Sequence, residues 1–84
     1  MRDLPFPYVT ILSDTPGQVR NIRSVAEAAE LLVLYWPTRV GEKLLEARQA
    51  CQDALDGKIT CTQARQAFID AAKEAGIYVG QEHL

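Results

Sequence analysis

The chain has 84 residues, 48% of them apolar and 24% charged, with a formal net charge of −2. This length gives one domain over residues 1–84, with an ordered core over about 6–79 and flexible ends, and it excludes a second domain. So short a chain buries only about 60–65% of the surface its unfolded form exposes, so its core must be efficiently packed or completed by a partner, while the near-balanced charge creates no strong field for nucleic acid or membrane.

Residues 6–12, FPYVTIL, are aromatic and β-branched, and the turn formers of residues 13–17, SDTPG, follow them. A strand and a turn are expected, with residues 18–23 returning as the second strand of an antiparallel hairpin. Val19 and Ile22 have opposite parity and cannot both face inward on a regular strand, so a bulge or an early strand end is expected there. The first residues, with Pro5 and Pro7, form an extended lead-in.

Ser24 opens a helix through a capping box with Glu27: the Ser24 hydroxyl accepts from the Glu27 amide, and the Glu27 carboxylate reaches back to the Ser24 amide. Val25, Ala28, Ala29, Leu32, Tyr35 and Trp36 follow helical spacing as one apolar stripe, with Pro37 marking the end. Leu31, Val33 and Leu34 add apolar surface on the flanks, more than one covering layer can bury. A second helix starts at Thr38 or Gly41 and runs to about Asp56 with Val40, Leu44, Ala47, Cys51, Ala54 and Leu55 as its stripe. Gly57 ends it, and Thr60 with Gln63 forms a second capping box, with Ile59 as a staple residue against Ala64. The third helix presents Ala64, Ala67, Phe68, Ala71, Ala72 and Ala75 and stops at Gly76. Residues 77–79 are β-prone and could add a third short strand, and residues 80–84 are a frayed tail. The expected architecture is α+β: an N-terminal antiparallel β-hairpin packed with three α-helices, in the order ββααα(β).

Many spaced positions carry a family likeness: R-x-I-x-S-x-x-E-A from Arg20 to Ala28, Trp36-Pro37, Gly41, Cys51 with Ala54-Leu55-x-Gly57, Ala64-Arg65-x-Ala67-Phe68, and Ala71-Ala72 with Ala75-Gly76. On these residues the chain resembles the bacterial family called domain of unknown function 982. The likeness covers about residues 6–79. It implies small stand-alone bacterial proteins and supplies no reaction, cofactor or partner.

No residue set supports a named chemistry. A calcium loop with Gly57 at its sixth position would place Gln52, Ala54 and Gln63 where acidic ligands are needed, leaving Asp56 alone. Cys51 and Cys61 read as buried free thiols without a metal set, and the only histidine, His83, lies in the tail with nothing to make it a base. The pairs Glu42 with Glu46 and Asp70 with Glu74 read as solvated helix faces, and the five glycines are scattered rather than gathered as a phosphate loop. No enzyme activity, cofactor or metal is therefore expected.

Two candidate surfaces remain. Leu31, Leu34 and Tyr35 form a candidate interaction surface for a protein partner or a second copy, the expected role being an interaction module or adaptor. Trp36 reads as core, whereas Tyr8 and Tyr78 have no assigned side. The alternative is a nucleic-acid-binding regulator contacting phosphate through Arg20, Arg23 and Arg39, set against the acidic faces of Glu42, Glu46, Asp53, Asp56 and Asp70. For Arg20 and Arg23 the plainer reading is a solvated strand face or an ion pair with Glu27 or Glu30. With no signal-peptide layout, and an apolar run (residues 31–36) too short to span a bilayer, a cytoplasmic location is expected.

Overall fold

A computed structural model of the chain describes residues 4–13, 17–37 and 41–79. Its elements are β1 (Pro5–Leu12), β2 (Val19–Ser24), α1 (Val25–Leu34), α2 (Glu42–Leu55) and α3 (Cys61–Ala75), an α+β chain in the order ββααα. Expectations placed on the lead-in before Leu4, on turn residues 14–16, on Thr38, Arg39 and Val40, and on the tail with His83 lie outside the described residues.

The hairpin pairs Val9 with Ile22, Thr10 with Asn21, Ile11 with Arg20 and Leu12 with Val19, and its register slips between Pro5 and Val9. The irregularity therefore lies in β1 rather than in β2, where the parity of Val19 and Ile22 had placed it. It lets Phe6 and Val9, themselves of opposite parity, both be buried. β2 stays regular by burying Ile22 and leaving Val19 outside. Thr10 and Asn21 share the outer face, where the Thr10 hydroxyl donates to Asn21 Oδ1 at 2.8 Å.

Ser24 is both the last residue of β2 and the N-cap of α1. Its hydroxyl accepts from the Glu27 amide at 3.1 Å, as expected, but the Glu27 carboxylate accepts from the Arg23 amide at 2.7 Å instead of from Ser24. With Ser24 still opposite Pro5 in the sheet, the carboxylate serves the amide one residue earlier. At α3 the box is complete: the Thr60 hydroxyl accepts from the Gln63 amide, and Gln63 Oε1 accepts from the Thr60 amide. Gly76 ends α3 in the left-handed region at φ 76° and returns the chain to the edge of β1 not used by β2. There the Leu12 amide donates to the Ile77 carbonyl at 2.8 Å and the Val79 amide to the Thr10 carbonyl at 3.0 Å. The third strand is thus one bridge, Ile11 with Tyr78.

The core runs between sheet and helices, with Phe68, Ile22, Leu32, Leu44, Val9, Val25 and Cys51 its largest fully buried side chains. Buried Ala47 and Ala54 on α2 and Ala64, Ala71 and Ala72 on α3 bring those helices close. Ile69, outside the expected stripe, is buried too, while Ala67 and Ala75 are only partly covered.

Candidate functional site

α1 ends at Leu34, short of Pro37, because Tyr35 has already left helical geometry at φ −130° and ψ 11°. With that early exit Tyr35, which helical spacing put on the stripe and which was also a candidate surface residue, is 61% exposed, and Leu34 is 62% exposed. Leu31, grouped with them as candidate surface, is 5% exposed and belongs to the core. Trp36 turns back toward the helices, its ring 5.5 Å from that of Phe68 and tilted by 60°. It is partly buried rather than wholly core.

The end of α1 is held from outside the helix. The Arg48 guanidinium on α2 donates to the Leu32 carbonyl, Nη2 at 2.9 Å and Nε at 3.2 Å, satisfying one of the last helical carbonyls and adding a positive charge that α1 lacks in its own last turn. Glu74 on α3 does the converse for α2, accepting from the Lys43 amide at 3.1 Å where Gly41 offers no side-chain cap. Glu74, read as half of a solvated carboxylate pair, is in this structure a cap. Arg65 donates from Nε to the Pro7 carbonyl at 2.8 Å, tying α3 to the irregular part of β1.

Apart from these ties, an open cleft of about 110 Å³ lies between the hairpin end and the end of α1. Ile11, Leu31, Trp36 and Ile77 form its apolar lining, Leu12 and Tyr35 its exposed apolar flanks, and Arg20 joins them from β2. The cleft unites residues from both candidate surfaces, Leu31 and Tyr35 with Arg20. Leu34 does not line it. Strand alternation explains Arg20: it lies opposite Ile11 and shares the inward face with Ile22, but just past the region that the helices cover. Arg23, odd where Ile22 is even, lies on the outer face, so the two arginines are separated by the sheet. No ion pair joins either to Glu27 or Glu30, the described pair being Lys43 with Glu46. Sequence reasoning missed the cleft, because it depends on the β1–β2 register and on where α1 stops.

Cys51 is buried, and burial pushes its thiol from 9.0 up to about 11, holding it protonated and unreactive. Cys61, expected to be buried, is only partly covered at the first turn of α3. Among the described residues no three His, Cys, Asp or Glu side chains are grouped to hold a metal ion, and no helix is long and apolar enough to cross a membrane.

Fold and cleft together define a small α+β protein with a largely apolar cleft, whose described lining includes one charged residue, Arg20. The family model described as "Protein of unknown function (DUF982)" matches residues 8–79, and the chain belongs to that family. No curated protein and no solved structure matches it.

Proposed function

We propose that this protein is a non-enzymatic interaction module that receives an apolar group of another protein chain in the cleft between the hairpin and the end of α1. One observation carries the reading: a preformed apolar cleft whose flanks, Leu12 at 47% and Tyr35 at 61% exposure, are large apolar side chains left in water. Such a surface loses free energy when a partner covers it, and in a small domain it is a natural place for association. A cytoplasmic setting belongs to the same proposal. The nucleic-acid reading needs Arg20, Arg23 and Arg39 to act together, and the separation of Arg20 from Arg23 by the sheet favours a protein partner instead.

Photo-crosslinking tests this. p-Benzoylphenylalanine in place of Tyr35 should give a discrete protein adduct in host cells, and the same label in place of Leu45, an exposed apolar residue on α2, should not. Light scattering of the purified chain then separates a second copy from a different partner. Absence of an adduct from Tyr35, or equal labelling from both positions, would refute the reading.

A further inference from the structure

We infer that the cleft recognises an extended acidic segment of a partner protein, taking one aliphatic side chain between Leu31, Trp36 and Ile77 and pairing a flanking carboxylate with Arg20. The inference rests on the interaction reading above and names the partner's chemistry.

Charge gives the sign. Of the described residues lining the cleft, Arg20 alone is charged, and no described carboxylate pairs with it. Arg20 is exposed and lies at the rim of the cleft next to its apolar lining, and its planar fork suits two-point binding of a carboxylate. A basic segment would meet a like charge. A nucleic-acid strand presents successive phosphates and would need several cations, whereas here Arg23 lies on the opposite face of the sheet.

Size gives the apolar group. Apolar cavities of about 150 Å³ accept a benzene ring. The cleft of about 110 Å³ therefore suits a branched aliphatic side chain and is small for an indole. In an extended segment, residues two apart share one side at a separation of roughly 7 Å, so an aliphatic residue and an acidic one can reach the cleft and Arg20 together.

The probe is the capped peptide Glu-Ser-Leu-Ser-Glu, with acidic residues on both sides so that chain direction does not matter. Its controls are the analogue with Gln for both Glu and the analogue with Ser for Leu. Binding is followed by NMR at the Trp36 indole and the Ile11 methyls, in wild type and in Arg20→Gln, whose melting temperature should be unchanged because no described bond is lost. The parent peptide should bind roughly three- to fivefold more tightly than the Gln analogue, and Arg20→Gln should erase that difference. Equal binding of the parent and Gln peptides overturns the acidic preference and leaves the interaction reading standing. Equal binding of the Ser and Leu peptides reduces the contact to a bare ion pair and overturns the aliphatic preference. No shift at the cleft with millimolar peptide overturns the inference, while the Tyr35 adduct still judges the wider reading separately.

Discussion

Phe68 and Trp36 are in ring contact, yet the two differ in worth. Phe68 is fully buried, so Phe68→Ala leaves a cavity and should cost about 3–5 kcal/mol, whereas partly covered Trp36 should cost about 1–3 kcal/mol as Ala. Urea unfolding of both variants checks the order, and equal losses would place Trp36 wholly in the core. Cys51 gives a pH signature. Its folded thiol value of about 11 lies above the ordinary 9.0, so the native state holds the proton more firmly than the unfolded chain. The associated stability is complete below pH 9 and is lost as pH rises through 11, about 2–3 kcal/mol in all. Comparing the fall in unfolding free energy between pH 8 and pH 10.5 in wild type and Cys51→Ala isolates it: the variant should show the shallower fall, and parallel profiles would contradict the assignment.

At the scale of elements, helix starts with local caps were legible in the sequence and ends held from afar were not. Thr60 and Gln63 are close enough for their spacing to reveal the box, and Ser24 with Glu27 revealed half of one. Arg48 and Glu74 could not be read, because each serves a helix other than its own and only the packing of α1, α2 and α3 brings them there. The stop of α1 was misplaced at Pro37 because proline restrains the residue before it, while the observed exit at Tyr35 lies further back, where Arg48 holds the Leu32 carbonyl. The same misplacement hid the cleft, since a helix continued to Trp36 would have kept Tyr35 in the stripe. Glu74→Gln should weaken the start of α2 by about 0.5–1 kcal/mol, less at high salt, as read by thermal unfolding at two ionic strengths. Gly41→Ala should cost more, because a Cβ there would approach Glu74 Oε1 to 2.5 Å and the backbone φ is +151°.

For the whole molecule, the radius of gyration of 11.8 Å is about what a chain of this length gives when packed, so the exposure of Tyr35 and Leu34 does not come from a loosened core. The order ββααα was legible because periodicity and turn chemistry change at each boundary, whereas the face assigned to each arginine depends on a register that spacing alone does not fix. Closure of the sheet on its second edge rests on few bonds. Val79→Pro removes the donor to the Thr10 carbonyl and should cost about 1 kcal/mol, with faster amide exchange at Leu12, whose own partner is the Ile77 carbonyl.

That second edge also bears on how the chain folds during synthesis. β1 is followed closely on the ribosome by β2, but its remaining partners, Ile77 and Val79, and the Arg65 side chain that binds Pro7 emerge only after α1 and α2 have been made. Such distant pairings incur their loop-closure entropy before they form. The hairpin must therefore wait with one edge open and Ile11 uncovered on the growing chain, a period in which a chaperone or another strand has access that the finished protein withdraws.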